Sequence, residues 1–552
     1  LTAVVGAWAA YDREAALAKF YLLVAGMLLF YALASQPKDN VWLVAGLFAA
    51  FGAGVAIFFL LTYDWQTDPA KINLIQQAAV WWMGRRPNFL AGTIHHNTAG
   101  GILAITAPFL IALLSYASRG RMILLTVWVF MAGTLLIIGL LFSTSRGAWI
   151  GLTAGLGVWV LWLVSGKLAG RFQWKQSGLF GVGIMVSCIL VFGLFALYPG
   201  GVIDLAGELP GPDSAVTRLD LAQNGLKLLG DFSFTGGGLG TFAGLYSHYI
   251  RAIPLFYLDY SHNLLLDIAL EQGILGLLAF GFIYLGIIWF GIWSLLTMAT
   301  SPLILASLSA LVVIFVHGLV DNVIYYQWSA LLLFMVPGFM LSLMQPVGGK
   351  HTYNEGKQHQ QQELTQSGRS AWLNLRFATA VATIAAAAMI LVVGFTYRHT
   401  WLASWYSNLG AVQMAKIELA DFPSGQWDDG GRAALLEPAQ GYFLQALDYD
   451  PDNRTANHRL GLIAMQQRDF STATSYLVSA HQLDSDHRGI SKNLGYAYAW
   501  SGEFDQAAHL LAHIPEARQE LNTYIWWWGT QGREDLAENA NRMLVILDSQ
   551  SY

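Results

Sequence analysis

Through roughly the first 400 residues, apolar stretches without charge alternate with polar connections. A membrane-spanning helix needs about 20 apolar residues. The pattern predicts ten spans, over 20–34, 41–61, 98–117, 122–142, 147–165, 179–198, 264–294, 302–320, 328–345 and 377–397. The first is short, as a tilted remnant or a span with a tightly drawn boundary would be. The chain begins with Leu1, not Met, and the expectation is a truncated N-terminus lacking one or two helices. One span opens unusually: "YSHNLLLDIALEQG", Tyr260 to Gly273, carries His262, Asn263, Asp267 and Glu271 before 49 charge-free residues, Gln272 to Val320. Asn263, Asp267 and Glu271 repeat every fourth residue and share one helix face. Such a stripe must face protein or water rather than hydrocarbon.

After Tyr397 the pattern changes to a charged, amphipathic one with an internal period. Leu460-Gly461 recurs as Leu494-Gly495, Asp469-Phe470 as Glu503-Phe504, Ala446 as Ala480, Ala473 as Ala507 and Asp450 as Asp484, always 34 residues on. That is the tetratricopeptide period, in which paired helices stack because neither buries its apolar face alone. A looser unit is expected around Gly529 to Ala537. Helix 400–420 begins an earlier one, interrupted by the polar stretch 421–437. The fold expected is all-α: a polytopic membrane bundle, 1–345, with an external loop 199–263; a Gln-rich cytoplasmic linker, 346–376; a last span, 377–397; and an external repeat domain, 398–552.

Composition agrees: 55% of residues are hydrophobic and 12% charged, against about 25% charged in a soluble domain. Mean hydropathy is +0.46. The net charge of −5 carries no basic footprint for nucleic acid. The single cysteine, Cys188, excludes an intramolecular disulfide. Basic residues in short connections orient the bundle: Lys38, Arg119, Arg121, Lys167, Arg171, Lys175, Lys350, Lys357, Arg369 and Arg376 fall on one side, which is then cytoplasmic. Arg85, Arg86, Arg146, Arg218 and Arg251 fall on the other, against the trend, and become candidates for function.

Each candidate has a plainer structural reading. Arg146, in "STSRGAWIG", is placed as an interfacial arginine would be, reaching to headgroups. Arg218 opens an amphipathic stretch where Asp213 or Asp220 offers it a salt bridge. Gly236, Gly237, Gly238 and Gly240 form a turn of the kind that presents amides to phosphate, but no preceding strand or Walker lysine accompanies it. His262 is an interfacial polar residue or a proton-exchanging group near neutral pH. Asp267 and Glu271 cannot straddle a glycosidic bond from one helix face. His317 and Asp321, in "HGLVDN", and Asn97, after the adjacent His95 and His96, lie on the same external side. Adjacent histidines point differently and have no acidic partner in the local sequence, so no metal site is expected.

Ser145-Arg146-Gly147, an arginine early in a long external loop, and His262-Asn263 followed by nine residues and then Gly273-Ile274-Leu275-Gly276 resemble the O-antigen ligase and polymerase superfamily, over roughly residues 60–345. The resemblance implies a metal-independent, cofactor-free inverting glycosyltransferase of the bacterial plasma membrane. It would move a glycan from undecaprenyl diphosphate to a lipid, polysaccharide or protein hydroxyl on the external face. It implies catalytic roles for His262, Arg146 and Arg218. We group Asn263, Arg85, Arg86, Asn97, Arg251, His317 and Asp321 with substrate binding, Arg251 being a substitute for Arg218 on the phosphate. The repeat domain would dock the acceptor or a partner protein on its concave face. A transporter of lipid-linked glycans and a non-catalytic scaffold are the other classes, the first disfavoured by charge-free spans.

Overall fold

The computed structural model describes residues 1–87, 92–173, 175–197, 212–252, 258–297, 301–344, 393–423 and 433–549, with side chains at all of these but 188–197, 212–217 and 323. The chain is all-α, without a strand among the described residues. The membrane part runs α1 (Thr2–Ala9), α2 (Arg13–Ala34), α3 (Val41–Thr62), α4 (Asn73–Met83), α5 (His96–Arg119), α6 (Ile123–Ser143), α7 (Arg146–Phe172), α8 (Gln176–Leu197), α9 (Pro212–Asp231), α10 (Phe242–Tyr249), α11 (Leu264–Thr297), α12 (Pro302–Gly318), α13 (Val323–Tyr326) and α14 (Leu332–Met344). Among the described residues eight helices follow: α15 (Arg398–Glu418), α16 (Glu437–Tyr449), α17 (Arg454–Gln466), α18 (Phe470–Leu483), α19 (Arg488–Ser501), α20 (Phe504–Leu511), α21 (Ala517–Thr530) and α22 (Glu534–Ser549).

Six helices, not ten, are long and apolar enough to cross a membrane among the described residues: α2, Lys38–Thr62, α5, α6, α7 and α11. Pro302–Gly318 and Trp328–Met344 are shorter than the usual 20 or so residues. In α8, side chains are described only as far as Ser187. The linker 346–376 and all but the end of the expected span 377–397 lie outside the described residues. Leu124, Phe282 and Leu278 project outward at 61–88% exposure, as lipid-facing residues do.

Small residues set a close contact in the bundle. Gly147, Gly151 and Gly155 form one stripe on α7, against α12. A Cβ on Gly155 would lie 2.8 Å from the Ser309 carbonyl oxygen, and one on Gly151 3.2 Å from that of Val313. Backbones approach this closely only where side chains are absent.

Helix α11 is broken. Gly273 has φ 71° and ψ −179°, outside helical space, so the expected continuous span 264–294 is a nine-residue half-helix followed by a long one. The break admits another segment: the Ser233 carbonyl accepts from the Ile274 amide at 2.8 Å, and the Leu270 carbonyl from the Gly237 amide at 2.7 Å. The half-helix carries the polar stripe into protein. Asp267, 2% exposed, accepts from the Ser261 amide at 3.0 Å and from the Asn322 side chain. Glu271, 4% exposed, pairs with Lys19 at 2.6 Å and accepts from the Gly240 amide at 2.9 Å. The glycine-rich turn is therefore a packing device, not a phosphate cradle. The amides of Gly237, Leu239 and Gly240 bond to Leu270, Gly6 and Glu271.

The 34-residue period has a packing cause. Helices α17 and α19 start at 454 and 488, and their partners α18 and α20 at 470 and 504. Gly461 leaves room for Leu477 and Gly495 for Leu511; added Cβ atoms would lie 2.6 and 2.7 Å from those side chains. Ala473 and Ala507 are fully buried at the same step. The stack begins with α15 packed on α16 and ends with α21 on α22.

Alanine at Gly273 would place its Cβ 2.4 Å from the Phe234 carbonyl oxygen and adopt a backbone conformation costing about 1–3 kcal/mol for an L-residue. Gly273→Ala is expected to lower the thermal unfolding midpoint in detergent. Gly281→Ala, with open space around the new Cβ, is expected to leave it unchanged.

Candidate functional site

The site is built around Asp321, which follows α12 and is 2% exposed. Three distant segments reach it. The Asn97 side-chain amide, on the first turn of α5, donates to Oδ2 at 2.7 Å. The Arg218 guanidinium, on α9, lies 3.6 Å from Oδ2. His262 Nδ1, just before α11, lies 3.6 Å from Oδ1, close enough for charge to act but beyond a hydrogen bond. Burial alone would raise the Asp321 pKa; contact with His262 and the charges of His317, His262 and Arg218 outweigh it and hold the carboxyl below its ordinary range. Asp321 is thus an anion at neutral pH.

His262 is held in an unusual backbone state. Its φ is +57°, in the left-handed region, which costs an L-residue about 1–2 kcal/mol. Asn263 pins the next residues: its side-chain oxygen accepts from the Leu266 amide at 3.0 Å, and its amide donates to the Leu319 carbonyl at 3.2 Å. Tyr260 meets the His262 ring edge-on at 4.6 Å. The Asn263 side chain thus acts as the cap of α11 and a strut to the end of α12. The spacing His262-Asn263, nine residues, Gly273 is the length of the capped half-helix from its left-handed start to its break.

Arg146 is the first residue of α7. Before it, Thr144 has φ 43°, and the Ser145 hydroxyl accepts from the Ala148 amide at 3.4 Å, capping the helix. Helix N-termini favour anions, so Arg146 adds its charge to an end already electropositive. Lys71, absent from the sequence-based candidates, completes the group. Its amide bonds to the Thr144 hydroxyl at 3.4 Å. Loss of solvent, then the charges of Arg218 and Arg146, push the Lys71 ammonium below its ordinary pKa, with Asp321 and Asp68 opposing. Lys71 therefore feels the charges of both arginines. Lys71 is, like those arginines, an external basic residue against the charge trend.

His317 is fully buried below Asp321, with Gly101 and Gly147 against its ring, and neither ring nitrogen has a hydrogen-bond partner among the described residues. The other candidates lie elsewhere. Arg85 donates to the Trp81 carbonyl and stacks on its ring at 4.2 Å. Arg86 donates to the Leu60 carbonyl at 3.0 Å and faces Trp65. The Arg251 carbonyl accepts from Lys492 of the repeat domain. The acidic partner missing beside His95 and His96 is Asp68. His96 Nδ1 is 3.0 Å from its carboxylate and 3.0 Å from the Tyr63 hydroxyl. The ligand atoms of Asp68, His95 and His96 lie within 4.8 Å of one another, a spacing compatible with a metal ion.

The cationic trio, the anionic Asp321 and the histidine at the capped half-helix all fall in or beside one stretch of sequence with known relatives. Residues 131–281 match the O-antigen ligase family. Residues 464–526 match the tetratricopeptide repeat. No curated protein and no solved structure matches the chain. The ligase match takes in Arg146, Arg218, His262 and Gly273, while Lys71, Asn97, His317 and Asp321 lie outside the matched residues. The chain is thus an all-helical membrane protein with a segment similar to the O-antigen ligase family and a C-terminal tetratricopeptide repeat.

The charge of Lys71 is present below its lowered pKa and lost as pH rises through it, earlier than the usual lysine value of about 10.4. Affinity for farnesyl diphosphate, measured by calorimetry in detergent, is expected to start falling below that pH in the wild type. In Lys71→Arg the fall is expected to be absent, because arginine keeps its proton.

Proposed function

We propose that the protein transfers a glycan from an undecaprenyl-diphosphate donor to an acceptor hydroxyl on the external face of a bacterial plasma membrane, with inversion at the anomeric carbon. The observation that carries this reading is Arg218 and His262 on the one carboxylate of Asp321, with Lys71 tied to the Thr144 turn that precedes Arg146. The donor's leaving group is a lipid diphosphate, on which negative charge grows as the glycosidic C–O bond breaks. Guanidinium groups bind phosphate oxygens in a fork and stay charged. Each well-placed donor contributes roughly 3 kcal/mol to such a transition state.

The acceptor oxygen attacks the anomeric carbon from the face opposite the diphosphate, and its proton passes to His262. The His262 nitrogen facing Asp321 is Nδ1, so Nε2 is the one offered to the acceptor. The Asp321 anion stabilises the imidazolium that forms, and the proton later leaves to solvent. The same chemistry serves a ligase, a polymerase or a protein O-oligosaccharyltransferase, which differ in the acceptor. The matched O-antigen ligase family favours the first two. The positive-inside rule puts the loops bearing Lys71, Arg146, Arg218 and His262 outside, and the repeat helices that contact the loop share that side.

The test is transfer by the reconstituted protein from an undecaprenyl-diphosphate glycan to the acceptor pool of its own cell. His262→Ala and Arg146→Ala are each expected to reduce the rate by about 10²-fold or more. Transfer that survives both substitutions overturns the assignment. A folded wild type that does not transfer points to a carrier or scaffold role.

A further inference from the structure

The first helices of three successive pairs in the C-terminal stack turn the same surface towards the external loop, and that surface is occupied. Asp231, the last residue of α9, is fully buried. It receives Arg459 at 2.6 Å, Arg454 at 2.8 Å and the Thr455 hydroxyl at 2.7 Å, all from α17. Burial alone would raise its pKa, but Arg454 and Arg459 hold it well below the ordinary range. Arg459 is itself fully buried, with its guanidinium 3.3 Å from the ring centre of Tyr249 on α10. The Tyr249 hydroxyl donates to Glu418 of α15 at 2.6 Å. From α15 too, Asn408 accepts from the Phe234 amide at 2.9 Å and donates to the Thr235 hydroxyl at 2.7 Å. From α19, Lys492 donates to the Arg251 carbonyl, and Gly489 lies so close to the loop that a Cβ would sit 2.1 Å from the Tyr249 carbonyl oxygen. Apolar contacts run through the same interface. Leu221, Leu228, Phe232, Tyr249 and Ile250 of the loop share one core with Leu266 and Leu270 of α11 and with Ala456, Leu460 and Ile463 of α17.

We propose that the repeat domain is a clamp for the external loop of its own chain, and that Arg459 is a positioning residue for Arg218. Helix α9 carries Arg218 near one end and Asp231 at the other, 13 residues apart, or about 20 Å along a helix. Fixing Asp231 in a buried ionic socket therefore fixes the axis along which Arg218 reaches Asp321. Repeat stacks present a continuous surface suited to a peptide or protein; here the occupant is the segment 218–251. The rate effect assigned to Arg459 rests on the transfer reading above, whereas the ordering of the loop does not.

The test uses the full chain in detergent or liposomes. Arg459→Lys keeps a charge but loses the fork and the stacking on Tyr249. Amide hydrogen exchange is expected to rise at 218–231 in this variant while α5, α7 and α12 stay protected. In the transfer assay kcat is expected to fall about 10- to 100-fold, the scale of a small misplacement of a charged group, with KM for the acceptor unchanged. In an Arg218→Ala background the same substitution is expected to add no further loss, because two residues acting through one contact are not additive. Thr455→Val, which removes one hydrogen bond on Asp231, gives the same readouts at smaller amplitude and serves if Arg459→Lys does not accumulate. Unchanged exchange at 218–231, or losses that multiply with Arg218→Ala, overturn the proposal. Faster exchange in a wild-type background that shows no transfer leaves the clamp standing and removes only the transferase reading.

Discussion

A carboxylate cannot be left alone where Asp321 sits. It is 2% exposed at the end of a short apolar helix, and an unpaired buried charge costs several kcal/mol. Its partners come from α5, from α9 and from His262, two residues before α11. Pairing this one anion therefore brings three remote stretches of chain to a common point. Lys71 adds a further cation on the same side, and its ammonium feels the charges of Arg218 and Arg146 as well as those of Asp321 and Asp68.

The constraint propagates through backbone contacts that only glycine permits. Gly273 breaks α11 so that the loop segment Ser233–Gly237 can bond to the exposed ends of the break. The stripe Gly147, Gly151, Gly155 draws α7 against α12, bringing the Arg146 end of one helix beside the His317–Asp321 end of the other. Both contacts fix main chain rather than side chains, so the charged groups above them inherit rigid supports. The left-handed backbone at His262 and at Thr144 sits at these same places, where strain is held by the surrounding packing.

Long-range structure also changes the meaning of the C-terminal helices. A repeat stack met in a sequence reads as a module for partners, because its outer surfaces are unaccounted for. Here Asp231, Tyr249 and the Arg251 carbonyl occupy one such surface through groups that are almost all buried. An interface with fully buried ions and a shared apolar core behaves as part of the fold rather than as a transient contact.

Several features were legible from residues alone because they depend on local period and composition. The apolar runs defined the membrane class. The 34-residue step of Gly461 and Gly495 defined the stacked pairs. Ser145-Arg146-Gly147 and His262-Asn263 with Gly273 marked the likeness to the ligase family. Charge against the positive-inside trend pointed to Arg146 and Arg218. What local pattern does not carry is which polar groups meet. Asp68 completes the group at His95 and His96 from 27 residues upstream, and Lys71 joins Arg146 through a turn contact at Thr144. Arg85 and Arg86 share the composition of Arg218 but are held by the carbonyls of Trp81 and Leu60. Among the described residues six helices rather than ten are long and apolar enough to span, in part because hydropathy registers the apolar runs at 302–320 and 328–345 without registering that their helices stop short. The sequence by itself determined the element types, the repeat and the residues able to do chemistry, since these follow from side-chain character and spacing. Only the tertiary structure decided which of them share a pocket, because pairing a buried charge is settled by the packing of helices hundreds of residues apart.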